Sequence, residues 1–293
     1  MTFLVDRETR VLLQGITGQL GKFVVEMMSQ AGLPPVAGVT PGRGGTMVDG
    51  VPVFDTVREA REQTGANASL VLVPAGGLRD AVLEAVDEGL GTVALMVDGV
   101  PVGISLELIA RAAAAQVTLV GPNSPGVLAP GRCLLGALDP RRFTQGDVAI
   151  ISRSGGMMST LAHTLTSAGL GQSTCVGIGG DSVIGLDMPA ALLLAQADPD
   201  TRAVVIFGEI GTTQEERTAA LVASRVVTKP VVAYIAGRAA PSGIRYSHAG
   251  AQSEGSNGTA AGKIAALREA GVLIAERYTD VPRVLAAAMS ASC

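Results

Sequence analysis

Short β-branched runs alternate with longer amphipathic stretches from Arg10 to about Gly126, and the same alternation then begins again. In the first half, Val11-Leu12-Leu13-Gln14, Val36-Ala37-Gly38-Val39, Leu70-Val71-Leu72-Val73, Val93-Ala94-Leu95-Met96-Val97 and Val117-Thr118-Leu119-Val120 are strand-like, each bounded by turn residues. Between them, Lys22 to Ala31, Thr56 to Thr64, Leu78 to Glu88 and Ser105 to Ala115 carry apolar residues at helical spacing. This order predicts βαβ units, and therefore a parallel sheet with helices on both faces and ligands at the carboxyl ends of its strands. A proline- and glycine-marked stretch follows, from Asn123-Ser124-Pro125-Gly126 through Asp139-Pro140-Arg141-Arg142. The pattern restarts with Val148-Ala149-Ile150-Ile151, Cys175-Val176-Gly177-Ile178, Ala203-Val204-Val205-Ile206-Phe207, Val231-Val232-Ala233-Tyr234 and a short Val272-Leu273-Ile274. Helices are expected near Gly156 to Ser167, Met188 to Ala197, Gln214 to Arg225 and Thr259 to Ala270. The economical reading is an α/β chain of two doubly wound domains, residues 1–126 and 146–293, with 127–145 as linker.

Composition narrows the partners. With 38 glycines against 3 tyrosines, 5 phenylalanines and no tryptophan, packing rests on aliphatic side chains and close backbone approach. A net charge of -4 without any Lys/Arg run argues against nucleic acid. Cys133, Cys175 and Cys293 have neither disulfide nor metal-ligand spacing, so no metal site is expected and a reducing, cytoplasmic compartment is. Charge comes early in Met1-Thr2-Phe3-Leu4-Val5-Asp6-Arg7-Glu8, and the apolar runs are too short to span a bilayer, so no membrane association is expected.

Several turns carry chemistry. Gly15-Ile16-Thr17-Gly18-Gln19-Leu20-Gly21 stands between the first strand and its helix, where backbone N–H groups and a helix N-terminus can meet a phosphate. Its spacing is not the dinucleotide G-x-G-x-x-G, and the second strand runs into Thr40-Pro41-Gly42-Arg43-Gly44-Gly45 rather than ending in Asp or Glu. An arginine there suits a ribose that bears its own phosphate, which leaves NADP and coenzyme A as candidates; the plain alternative is a turn that serves packing, with Arg43 a solvated charge. In the second half, Ser152-Arg153-Ser154-Gly155-Gly156-Met157-Met158-Ser159 follows a strand and opens a helix, suiting phosphate or carboxylate binding or a plain Ser154 cap. Met157, Met158 and His163 read as packing residues. Glu209 follows the strand ending at Phe207, on the rim expected to carry Ser154. His248, in the small-residue segment Tyr246-Ser247-His248-Ala249-Gly250-Ala251, is a candidate phosphoryl carrier that Glu209 can orient; a surface histidine and a helix-start carboxylate are the plain alternatives.

In chain order, Gly15-Ile16-Thr17-Gly18, Gly38 to Gly45, Gly121-Pro122-Asn123, Ser152-Arg153-Ser154-Gly155, Gly177-Ile178-Gly179-Gly180-Asp181, Gly208-Glu209-Ile210-Gly211 and His248-Ala249-Gly250-Ala251 resemble the α subunits of succinyl-CoA synthetase. That family sits in the superfamily of NDP-forming acyl-CoA synthetases, with malate-CoA ligase, citryl-CoA synthetase and ATP-citrate lyase. The resemblance implies a CoA-binding Rossmann domain followed by a flavodoxin-like ligase domain. It implies that Thr17, Gly18, Gln19 and Leu20 hold CoA phosphates, that Arg43 replaces a CoA-contacting lysine, and that Met96, Val97 and Asp98 line the CoA site, Asp98 in place of the usual glutamate. It implies a phosphohistidine at His248 with Glu209 as its partner, and Ser154 and Gly155 receiving the phosphoryl group. An ATP-grasp β subunit, in an αβ or α2β2 assembly, is implied to bind ATP or GTP with Mg2+ and to charge the histidine.

Departures bear on the small carboxylic acid substrate. Where succinate-using members read Ser-Gly-Thr-Leu-Thr-Tyr-Glu, this chain reads Ser154-Gly155-Gly156-Met157-Met158-Ser159-Thr160, and Ser124 stands where they commonly carry cysteine. The Gly155-Gly156-Met157 run is more like citrate-using members, and Ser159 with Thr160 can bond an extra hydroxyl or carboxylate. Succinate is the default expectation; citrate, malate or another substituted dicarboxylate is the alternative. An NADP oxidoreductase and a non-catalytic CoA sensor are the rival classes.

Overall fold

A computed structural model describes residues 3–240, 248–252 and 258–291. The chain divides into two compact units, one comprising Leu4–Arg141 and Val183–Gly185, the other Arg142–Ser182 and the chain from Leu186 onward. Tyr246 and Ser247 of the histidine segment, and Cys293, lie outside the described residues.

In the first unit, strands β1 (Val11–Gln14), β2 (Ala37–Val39), β3 (Met47–Val48), β4 (Val51–Phe54), β5 (Ala68–Val71), β6 (Thr92–Leu95) and β7 (Thr118–Val120) form one sheet in the order β3-β4-β2-β1-β5-β6-β7. All pairs are parallel except the β3–β4 edge. Without β3 the order is that of the Rossmann fold, 3-2-1-4-5-6. Helices α1 (Gln19–Gln30), α2 (Val57–Thr64), α3 (Ala75–Asp87) and α4 (Val102–Ala114) connect the strands. Strands β1, β5 and β6 are buried along their whole length, as expected of strands covered on both faces. Leu12, Val71, Leu78, Val82, Val93 and Leu108 belong to the core they share with the helices. Thr56 caps α2 through the Glu59 N–H, and Gly65 ends that helix in the left-handed conformation.

Residues 127–145 are more structured than a linker. They contain most of an antiparallel hairpin, β8 (Gly126–Ala129) and β9 (Cys133–Gly136), whose residues are all buried.

In the second unit, β10 (Gln145–Ser152), β11 (Gln172–Gly177), β12 (Ala203–Gly208), β13 (Val231–Ile235) and β14 (Leu273–Ile274) lie side by side in the order β14-β13-β12-β10-β11, all parallel. Counted within the unit this is 2-1-3-4-5, the flavodoxin order. Helices α5 (Gly155–Ser167), α6 (Met188–Ala197), α7 (Gln214–Ala223), α8 (Ala260–Glu269) and α9 (Val281–Ala291) complete it. In register, Ser152 pairs with Gly177 and with Phe207, and Phe207 with Tyr234, so these four strands end together and their following loops leave from one rim.

Candidate functional sites

In the first unit the strand order reverses at β1: β2 lies on one side, β5 on the other. Loops after β1 and β5 therefore diverge and leave a crevice at the carboxyl ends. A cavity of about 620 Å3 occupies it, walled by Gly15 to Gly21 (except Ile16), by Val39, Thr40 and Pro41 after β2, and by Leu72, Val73 and Pro74 after β5. Two of the glycines are sterically required. Gly15 has φ +86°, and a Cβ on Gly21 would stand 2.5 Å from the Ile16 carbonyl oxygen, so α1 can start this close to the turn only without one. The N-cap of α1 is Gly18, and no side chain caps the helix. Its first N–H groups therefore open into the cavity with the positive end of the helix dipole, an arrangement suited to phosphate. Deeper in the wall, Glu84 accepts the Val57 N–H at 2.8 Å, and burial pushes its carboxyl above the ordinary range.

Thr17, Gly18, Gln19 and Leu20 all line this cavity. Arg43, Met96, Val97 and Asp98 do not line it, although they follow β2 and β6 on the same rim. Arg43 is exposed in a loop held by Asp55, whose Oδ1 accepts the Arg43 and Gly44 N–H groups at 2.9 and 2.8 Å. Met96 to Asp98 stand beyond β6, two strand spacings or about 10 Å from β1.

The second unit gathers a histidine, three carboxylates and two buried cations around one rim. Glu209 leaves the end of β12, Arg153 the end of β10, and His248 lies in the described segment 248–252 that follows β13. His248 Nδ1 is 2.8 Å and 2.9 Å from the two Glu209 oxygens. An ionised carboxylate only accepts, so in the neutral imidazole Nδ1 carries the ring hydrogen, and Nε2 of that tautomer presents a lone pair. Arg153 has no exposed side-chain surface; its Nε is 3.4 Å from Glu209 Oε1, Nη1 donates to Thr212 Oγ1 at 3.1 Å, and Nη2 to the Gly180 carbonyl at 3.3 Å. Behind Glu209, its N–H donates to Glu215 Oε1 at 3.1 Å. Glu215 pairs with Lys263, both fully buried, and Lys263 Nζ also reaches Glu216 at 3.1 Å and the Thr212 carbonyl at 3.2 Å.

Ser154 caps α5, accepting the Met157 N–H at 3.4 Å, and Gly155 and Gly156 form the first turn. Ser159 and Thr160 donate their hydroxyls to the Gly155 and Gly156 carbonyls at 3.2 and 3.0 Å, one turn back along α5. Met158 is buried in the core and His163 is exposed. Sequence reasoning assigned no role to Arg153, Glu215 or Lys263. The available signal was an arginine set directly after the apolar run of β10, where a charge is costly unless paired. Among the described residues no group of three or more His, Cys, Asp or Glu could hold a metal ion, and no helix is long and apolar enough to cross a membrane.

Residues 6–99 match the CoA binding domain family and residues 151–273 the CoA-ligase family. The chain is 47% identical over 286 residues to the ADP-forming succinate–CoA ligase subunit alpha 2 of Archaeoglobus fulgidus, covering 98% of this chain and 99% of that one. It is 44% identical to the corresponding alpha subunit of Aquifex aeolicus, over 98% of this chain and 94% of that one. Among solved structures, the ATP citrate lyase of Methanothrix soehngenii in complex with citrate and coenzyme A superposes with a TM-score of 0.88 at 23% identity. That match covers 99% of this chain and 51% of the lyase, so this chain spans about half the lyase's length; it speaks for the fold alone.

A Rossmann unit matching CoA-binding domains and a flavodoxin-like unit bearing a histidine–carboxylate centre define a CoA-handling α/β protein. The chain belongs to the succinate–CoA ligase α-subunit family.

Proposed function

We propose that this chain is the α subunit of a nucleotide-dependent carboxylate–CoA ligase that forms succinyl-CoA from succinate, CoA and ATP or GTP through a phosphohistidine and an acyl phosphate. The observation that carries the reading is His248 Nδ1 held against Glu209 with Nε2 left nucleophilic. Nε2 takes the terminal phosphoryl group of the nucleotide, releasing the nucleoside diphosphate, and Glu209 stabilises the positive charge the ring gains. A carboxylate oxygen of the acid then takes the phosphoryl group and His248 is restored. The CoA thiol, as thiolate, attacks the acyl carbon and expels inorganic phosphate. The chemical sense is that a carboxylate oxygen is a poor leaving group and phosphate is a good one.

Residues 1–126 would serve as the CoA domain and 146–293 as the ligase domain. Thr17, Gly18, Gln19 and Leu20 would hold CoA phosphates in the cavity, while Arg43 and Met96, Val97 and Asp98 would meet parts of the extended CoA molecule that run along the rim. Ser154, Gly155 and Gly156 would cradle the phosphoryl group with the N–H groups of α5, and Ser159 would border the acid. The nucleotide and its Mg2+ would belong to an ATP-grasp β subunit, in an αβ or α2β2 assembly in the cytoplasm. The chain's likeness to succinate–CoA ligase alpha subunits favours succinate over citrate or malate, as does the position of the Ser159 and Thr160 hydroxyls, already donated to helix carbonyls rather than held for an extra substrate group.

The test is co-expression with the β subunit. Radiolabelled nucleotide is expected to leave an acid-labile label on His248, and an acid panel of succinate, malate, itaconate and citrate is expected to be led by succinate. His248→Asn should lose thioester formation by roughly 1,000-fold or more. Thioester formation by that variant at the native rate would refute the relay. Absence of label on the native chain would favour a CoA sensor, and tight NADP binding with weak CoA binding an oxidoreductase.

A further inference from the structure

The His248 ring rests on a glycine. A Cβ built on Gly180 would stand 2.6 Å from both Cδ2 and Cγ of the imidazole and 3.1 Å from Nδ1, closer than a side chain can approach. Gly180 does not have a left-handed φ, and the three atoms nearest an added Cβ all belong to the ring. The Gly180 carbonyl accepts the Gly250 N–H at 3.0 Å and Arg153 Nη2 at 3.3 Å, tying the histidine segment to the end of β11. Arg153 also lies directly beneath that segment: a Cβ on Gly250 would come 2.4 Å from Nη2. One buried guanidinium thus meets the carboxylate that orients His248, the carbonyl that holds its segment, and the Thr212 hydroxyl.

We propose that Gly180 and Arg153 are positioning residues that build a seat for the His248 imidazole. Gly180 leaves the space the ring occupies, and Arg153 donates to the Gly180 carbonyl and sets its charge 3.4 Å from Glu209, in the arrangement that receives the ring. The inference rests on the phosphohistidine reading and deepens it. A histidine that relays a phosphoryl group between a partner's nucleotide and an acid needs a defined docked state for the second transfer, and the seat supplies it. The proposal assigns discharge to the seated ring and charging to the ring out of the seat, so loss of the seat should slow discharge and spare charging.

The experiment uses the full chain paired with its β subunit. In Gly180→Ala, label should enter His248 from nucleotide within about twofold of the native rate, while its discharge to succinate and CoA slows by roughly 10- to 100-fold, the scale set by an ångström of misplacement. Discharge at the native rate, or charging slowed as much as discharge, would overturn the seat. A second readout needs no turnover. The chain has 2 histidines, and His163 is exposed on α5, so 15N-histidine spectra of the full chain separate them. Native His248 should show the Nδ1–H tautomer and Gly180→Ala should lose it; an unchanged tautomer overturns the proposal. Failure of the native enzyme to label His248 would count against the function, while the spectra still judge the seat. If Gly180→Ala does not fold, Arg153→Gln should lose the Nδ1–H signature and Arg153→Lys should restore part of it, and loss of neither refutes the proposal.

Discussion

Glu84 shows what a single carboxyl costs inside the first unit's cavity. Burial raises its pKa from the ordinary 4.5, while the Val57 N–H and its hydrogen bond pull the other way. A raised carboxyl pKa means the fold disfavours the ionised form, so its contribution to stability is complete below the unfolded value and falls away as pH rises through the native one. Glu84→Gln keeps the accepting oxygen and removes the titration. Its melting temperature relative to the native chain should rise between about pH 4 and pH 7, and a flat difference across that interval would refute the assignment. The two ends of the His248–Glu209 pair were legible from the sequence because each stood where periodicity offered no packing role. Arg153 was not, because its partners Gly180, Glu209 and Thr212 come from three other loops and nothing local announces them.

At the scale of elements, α7 and α8 are joined by a buried charge cluster. Lys263 on α8 meets Glu215 and Glu216 on α7, and Glu215 in turn fixes the main chain of Glu209. Removing Lys263 would strand Glu215 without solvent. Lys263→Met should therefore cost about 3–5 kcal/mol, read from urea unfolding of the full chain, and an effect below about 1 kcal/mol would show that the cluster is not structural. Helix α6 runs over Met188–Ala197 as its periodicity predicts, and α1 starts three residues before the expected Lys22, at Gln19. The early start has a physical reason: Gly18 serves as N-cap and Gly21 lets the first turn lie on the β1 loop, neither of which contributes to an apolar pattern. Strands β3, β4, β8 and β9 were not anticipated. They are two to four residues long; β8 and β9 fall in the stretch read as a connection, β3 and β4 between the Thr40–Gly45 turn and the helix expected from Thr56, and tertiary pairing overrides local propensity in both.

Over the whole molecule, the repeated βαβ pattern yields two units, each with its own run of parallel strands and its own candidate site. The two sites should therefore fail separately. Gly21→Ala, which drives a Cβ into the Ile16 carbonyl, should weaken CoA binding by calorimetry at least about tenfold while His248 labelling by the assembled enzyme stays within about twofold. Equal loss of both would show that the sites act as one. What the sequence determined by itself was the class of the fold, the parallel character of both sheets and the motifs of the two rims, because strand and helix periods and turn glycines are local properties of the chain. Only the tertiary structure decided which rim residues meet. The strand order puts Thr17 to Leu20 in the cavity and Met96 to Asp98 outside its lining, and the shared register of β10 and β12 brings Arg153 to Glu209. Those juxtapositions depend on strand order and register, which long-range hydrogen bonding sets and no stretch of sequence encodes alone.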